Sequence, residues 1–297
     1  MLCRNPFIRD PTGKVFRQIA FAGRPLEDAV QGIPFPCGQC LPCLINKRRL
    51  WTHRLLLEAM CHERAAFITL TFREEDYPSD GSVQKRDVQL WIKRLRKLAS
   101  PRKLRYYAVG EYGALTHRAH YHAIVFGIDT ADIGLVEQSW PFGHVFVAEC
   151  NRLTIQYVVG YVTKKMVRKD DGIQKEFAVM SRRPGLGFDS VVKLSGLIRD
   201  PKYAHLFQWD SSIPDGLRHG RMLMPFDRFI KDKLCKILEY DVDSTAFYKE
   251  MMYKFWKARS ANPDYYHPLL DILLSESHQR FLQIKAKHKI FCTRNSI

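Results

Sequence analysis

The segment Ala119-His120-Tyr121-His122-Ala123-Ile124-Val125-Phe126 constrains this chain more than any other. It reads as a strand, and side chains at i and i+2 of a strand share a face. His120 and His122 therefore project together, and Tyr121 points the other way into packing. Two imidazoles on one face can grip a divalent metal. Glu111 lies across a predicted hairpin loop, and direct pairing of 111 with 120 would bring their Cβ atoms within about 5 Å. The three form a triad with open metal positions. One carboxylate and two imidazoles suit Mg²⁺ or Mn²⁺ acting on phosphate, or Zn²⁺. A His-X-His pair alone is usually two ordinary histidines. The apolar strand around it, and the carboxylate at hairpin distance, select the metal reading.

The flanking sequence supplies the rest of a fold. Phe67-Ile68-Thr69-Leu70-Thr71-Phe72 is β-branched and aromatic and reads as a buried strand. Residues 44–64 and 85–99 carry helical periodicity. In the second helix Val88, Trp91, Ile92, Leu95 and Leu98 fall on one face, and Pro101 ends it. Strands are predicted at 104–111 and 144–149, a short helix at 131–140 and a further helix at 154–167. The order β-α-β-β-α-β-α indicates an α+β sandwich with a mainly antiparallel sheet. Beyond residue 225 the reading is mostly helix, at 226–240, 244–259 and 264–287. Three segments result: 1–64 with a cysteine cluster and a helix, a core at 65–170, and a basic, mostly helical extension at 171–297.

The 154–167 helix contains Tyr157-Val158-Val159-Gly160-Tyr161-Val162-Thr163-Lys164-Lys165. Tyr157 and Tyr161 are one helical turn apart on one face, with Lys164 close to the same angular position. A tyrosine becomes a covalent nucleophile once its proton is removed or its charge balanced, and a nearby lysine favours that. Tyr-x-x-x-Tyr alone is more often core packing. The following lysine and the metal site on the preceding strands reverse that preference. Nearness to Lys164 makes Tyr161 the expected first nucleophile.

Charge narrows the partners. Lys and Arg number 47 against 31 Asp and Glu, a formal net charge of +16. Such a surface attracts polyanions, nucleic acid above all. No stretch reads as a secretory signal or membrane span, so a soluble protein in a cytoplasm is expected. Two basic features are weaker signals. The polar face of the 85–99 helix could touch DNA or simply be solvated. Pro184-Gly185-Leu186-Gly187 could offer N–H groups to phosphate, although a plain loop is the simpler reading.

Cys37, Cys40 and Cys43 sit in one heptapeptide. In a reducing compartment such clustering points to metal. Structural zinc needs a fourth ligand, and Cys3, His53 and Cys61 are the candidates. An iron–sulfur site in a ferredoxin-like run would want cysteine at 47, which is Lys47. Free reduced thiols are the remaining alternative.

Taken together, these motifs resemble the replication initiators of the microviruses, small circular single-stranded DNA phages, and most of all their gokushovirus branch. The matching stretches come in order: Cys37 to Cys43 followed by Arg48 to Trp51, then Phe67 to Phe72, then Gly110-Glu111-Tyr112-Gly113 through Arg118 to Gly127, then Tyr157 to Lys164. Ala119 stands where many relatives carry proline. The resemblance covers roughly residues 35–190. It implies a five-stranded antiparallel sheet of the RRM-like, ferredoxin-like HUH endonuclease fold, with flanking helices. It implies Glu111, His120 and His122 as ligands of Mg²⁺ or Mn²⁺, Tyr157, Tyr161 and Lys164 as catalytic groups, and Cys3 as the best fourth partner for Cys37, Cys40 and Cys43. It further implies nicking of origin DNA, a 5′-phosphotyrosine link, a 3′-hydroxyl primer and rejoining into circles. The expected setting is the cytoplasm of a bacterial host, with a host helicase and DNA polymerase as partners and no membrane.

Rival readings are weaker. Histidine-triad hydrolases need a third histidine at 124, which is Ile124. A catalytically dead DNA-binding module would not need the intact triad and tyrosines. A plasmid initiator or transposase would share the chemistry but not the cysteine segment and paired tyrosines.

Overall fold

A computed structural model describes residues 7–9, 15–17, 33–113, 116–164, 174–209, 213–240, 282–283 and 286. The chain divides into two compact units. One comprises 1–47 with 241–297, and the other 48–240. In the first unit, β1 (Phe7–Arg9), β2 (Val15–Arg17) and β3 (Ile33–Phe35) form an antiparallel sheet with β1 in the middle. The helices expected at 244–259 and 264–287 lie outside the described residues, apart from three helical positions at 282, 283 and 286.

Helix α1 (Leu41–Ala59) leads into the second unit. There β4 (Ala65–Thr71), α2 (Lys85–Leu98), β5 (Arg105–Tyr112), β6 (Ala119–Phe126), α3 (Ile133–Ser139), β7 (Val145–Glu149) and α4 (Arg152–Lys164) follow in the order read from the sequence. The strand β8 (Phe177–Met180) completes a five-stranded antiparallel sheet ordered β7-β4-β6-β5-β8. The α+β class and the five-stranded antiparallel sheet are therefore as expected.

Alternation along each strand sends two sets of side chains to opposite faces. Ile68, Leu70, Tyr121, Ala123 and Val125 pack against Val88, Trp91, Ile92 and Leu95 of α2 and Val136 of α3. Phe67, Tyr107, Val109, Ile124 and Phe126 pack against Leu55 of α1 and Ile155, Val158 and Val159 of α4. The α2 stripe turns at its end: Ala99, not Leu98, is buried, because 88, 92, 95 and 99 keep the helical period. Asp87 in the first turn and Arg96 and Lys97 in the last complement the helix dipole.

Part of the α2 basic face is already committed to the protein. Arg94 donates to the Ser139 carbonyl at 2.7 Å, and Arg96 donates to that of Leu104. Lys93 and Lys97 are exposed.

The extension expected to be mostly helical is not so up to residue 225. Besides β8 it holds α5 (Phe188–Arg199) and a sheet of β9 (Phe207–Trp209), β10 (Pro214–His219) and β11 (Met222–Pro225) before α6 (Arg228–Leu238). These strands are short and some carry polar or proline residues, so their periodicity is faint. The small sheet docks on α1. Arg49 donates to the Leu223 carbonyl, His53 Nδ1 meets the Pro225 carbonyl at 2.8 Å, and Arg54 pairs with Asp227.

The Pro184-Gly187 run serves this packing. The Gly187 N–H donates to the buried Glu58 carboxylate, which also binds Arg105 and His62. At Gly185 an added Cβ would meet the Phe229 ring at 2.7 Å. The N–H that the sequence offered to phosphate thus has a partner in the protein.

Candidate metal and tyrosine site

The β5–β6 hairpin sets the site. Glu111 and His120 are directly paired partners in its register. His122 pairs with Val109 on one side and Thr69 on the other, which places all three polar side chains on the α4 face of the sheet. Glu111 Oε1 is 2.7 Å from His120 Nε2 and 3.1 Å from His122 Nε2. The three ligand atoms lie within 4.8 Å of one another. Burial would push the Glu111 carboxyl up, but hydrogen bonds from His120, His122 and Tyr161 outweigh it. The group is held well below the usual carboxylate range.

The donor set fits a divalent cation. His120 Nδ1 is 3.0 Å from the Arg118 carbonyl, which can only accept, so Nδ1 carries the proton and Nε2 offers its lone pair. Arg118 is itself fixed, with its guanidinium on Glu74 and over the Tyr77 ring. His122 Nδ1 meets the Thr69 hydroxyl at 2.8 Å, which leaves its Nε2 turned to the same carboxylate oxygen. Two imidazole lone pairs and one ionised oxygen thus converge where a cation balances their charge. Thr69 was missed as a site residue in the sequence. Its only signal there is a hydroxyl inside an apolar strand.

Helix α4 brings the tyrosines over these ligands. Tyr161 stacks on His122, with ring centroids 5.2 Å apart and planes at 5°. Tyr157 meets His122 edge-on at 5.1 Å and Tyr161 at 5.2 Å. The two phenols differ in exposure: Tyr157 is 44% exposed and Tyr161 4%. Burial and the Glu111 charge hold the Tyr161 hydroxyl well above its ordinary value. Lys164 closes α4, and its side chain, like Lys165, lies outside the described residues.

The cysteines form a second cluster, in the other unit. Sγ of Cys43 is 3.9 Å from that of Cys37 and 3.4 Å from that of Cys40, and none is disulfide-bonded. A tetrahedral zinc with bonds of about 2.3 Å holds its sulfurs about 3.8 Å apart. The N–H groups of Gln39 and Cys40 point at Cys37 Sγ, which favours a thiolate. Three cysteines therefore fit a metal. Cys3 lies outside the described residues. His53 is engaged elsewhere, with Pro225 and His219, and Cys61 is not in the cluster found among the described residues.

Comparisons with known proteins agree with this geometry. Residues 65–166 match the family model of the replication-associated protein ORF2/gene-II protein. The chain is 27% identical over 244 residues to the replication-associated protein ORF4 of Chlamydia phage 1, covering 73% of this chain and 58% of that protein. It is 27% identical to the replication-associated protein VP4 of Bdellovibrio phage phiMH2K, covering 52% and 55%, and 27% identical to the replication-associated protein ORF2 of Spiroplasma virus 4, covering 46% and 49%. The chain spans about half the length of these curated relatives. No solved structure matches it significantly. Among the described residues no helix is long and apolar enough to cross a membrane. Residues 65–166 thus match the replication-associated ORF2/gene-II protein family, and the resemblance to microvirus-type replication proteins is borne out.

Proposed function

We propose that this protein initiates rolling-circle replication of a small circular single-stranded DNA phage by nicking one strand at its origin. The observation that carries the reading is the convergence of Glu111, His120 and His122 directly beneath two tyrosine rings. A magnesium or manganese ion held by the triad would polarise the scissile phosphate. The chain's own residues do the rest. Thr69 and the Arg118 carbonyl fix the imidazoles. The α4 helix presents the phenols in line with the phosphorus. A tyrosine oxygen bonds to phosphorus, the 3′-oxygen leaves and takes a proton, and the 5′ side stays on the protein as a phosphotyrosine ester. The freed 3′-hydroxyl primes a host polymerase, with a host helicase opening the duplex. Attack of a 3′-hydroxyl on the ester reverses the step without ATP, because the ester conserves the bond's energy. Lys164 would balance charge beside the phenols. Three cysteines with a fourth ligand would hold structural zinc.

The same core could serve a plasmid initiator or transposase, and the relatives' names favour the phage reading. The test is nicking of phage-origin oligonucleotides under a manganese or magnesium titration, with mass mapping of the DNA-linked peptide. His120→Ala and His122→Ala should abolish cleavage and leave DNA binding intact, with Glu111→Ala severe but weaker. Full nicking by the double histidine variant in chelator would remove the metal role. An adduct outside residues 157–161 would remove the tyrosines.

A further inference from the structure

The sheet face that carries the ligands also carries an aromatic side chain left open to solvent. Phe146 of β7, at the sheet edge, is 59% exposed. Thr69 pairs with His122 on one side and with Phe146 on the other. The three form one row across the sheet and point to the same face. Strand spacing puts Phe146 about 10 Å from His122, backbone to backbone. Phe67 bridges the interval. Its ring stacks on His122 at 5.8 Å and meets Tyr157 at 5.9 Å and Phe146 at 6.3 Å. On α4, Leu153 lies one turn before Tyr157 and is 75% exposed. An apolar shelf of Phe146, Phe67, Tyr157 and Leu153 therefore runs outward from the tyrosines to the sheet edge. Core packing does not explain it, because its outer members stand in water.

We propose that this shelf seats an unstacked base of single-stranded DNA next to the scissile phosphate, with Phe146 as the residue on which it stacks. The proposal rests on the nicking reading and names the substrate contact of that site. Three features select a base over other apolar partners. The shelf is continuous with the tyrosines. Its outer end is flanked by exposed Arg152 and His144 on a chain of net charge +16, a setting that draws a polyanion. And a base released from its stack regains on an aromatic face what it lost, whatever its sequence. Phe146 is a positioning residue: it holds the neighbouring nucleotide and touches no reacting atom.

The test uses the full chain and a short oligothymidylate carrying one 5-iododeoxyuridine. Photo-crosslinking of the wild type should attach the probe to Phe146, located by mass mapping. Phe146→Ala should weaken binding about 5- to 150-fold, the range of one base–aromatic stack. The dependence of affinity on salt should keep its slope, because no phosphate contact is lost. Phe146→Trp should restore binding and Phe146→Leu should not. Unchanged affinity of Phe146→Ala together with a crosslink elsewhere would overturn the proposal. So would full rescue by leucine, a loss of salt slope, or a change in oligomeric state with DNA binding intact, which would make the shelf a contact between copies. The two readings fail separately. A wild type that binds but never nicks sinks the nicking reading and leaves the stacking result standing. A wild type that nicks, beside a Phe146→Ala that binds normally, sinks the shelf alone.

Discussion

Tyr161 lies flat on the His122 imidazole, ring planes 5° apart, while its neighbour one turn earlier meets the same imidazole edge-on. The two tyrosines therefore share one ligand but not one environment. Proximity to Lys164 favoured Tyr161 as first nucleophile. The structure favours the reverse, because Tyr157 is half-exposed and an incoming phosphate reaches it without moving α4. Tyr157→Phe should slow the first cut of a single-stranded origin oligonucleotide at least tenfold. Tyr161→Phe should cut once and fail at the linked second cleavage. Single-turnover gels resolve the two steps, and equal first-cut rates for the two variants would make the tyrosines interchangeable.

Thr69 should matter to the metal although it cannot bind it. Its hydroxyl is 2.8 Å from His122 Nδ1 and so fixes the ring and its tautomer. Loss of such a partner typically lowers metal affinity about 10- to 100-fold. We expect Thr69→Val to raise the manganese concentration needed for half-maximal nicking by that factor and to leave the rate at saturation nearly unchanged. A Thr69→Ser variant should behave as wild type. Wild-type metal dependence in the valine variant would show that the hydroxyl has no such role.

The sulfur geometry gives a prediction that needs no DNA. Protein purified under reducing conditions should carry tightly held zinc, and its removal should lower the unfolding temperature, because metal affinity is folding energy. Cys40→Ser and Cys43→Ser should each lose the metal. Elemental analysis that finds neither zinc nor iron in fresh, reduced protein rejects the site.

His53 gives a pH dependence far from the metal ligands. Burial pulls its imidazole down to about 4, against a partial offset from the Pro225 carbonyl, and neighbouring His219 and Arg49 add to the depression. The folded state therefore holds His53 neutral, while the unfolded chain protonates it near pH 6.5. The sign follows: the contribution is intact above about pH 6.5 and is lost as pH falls toward 4, to the extent of about 3 kcal/mol. His219, also depressed by burial, acts in the same direction. Denaturant unfolding followed from neutral pH to about pH 4.5 should show this loss, and His53→Phe should flatten the slope. An unchanged slope in that variant would place the pH dependence elsewhere.

Much of the site was legible because its spacings are local. Two histidines at i and i+2 share a face of any strand, and two tyrosines at i and i+4 share a face of any helix. Glu111 needed one further step, the register of a short hairpin, and Glu111 and His120 are direct partners in it. Thr69 could not be assigned, because it reaches His122 only through the pairing of strands 53 residues apart.

What the sequence by itself determined is the set of elements from β4 to α4, the faces they present and the chemistry those faces carry, since hydrophobic periodicity is a property of neighbours in the chain. What only the tertiary structure decided is the order of strands and the company each side chain keeps. β8, a four-residue strand beyond the expected core boundary, becomes the fifth strand because the β5 edge was open to it. Phe146 comes into line with His122 because β4 lies between their strands. Tyr157 and Tyr161 look alike in sequence, and one is buried and the other open because burial depends on what packs from across the fold.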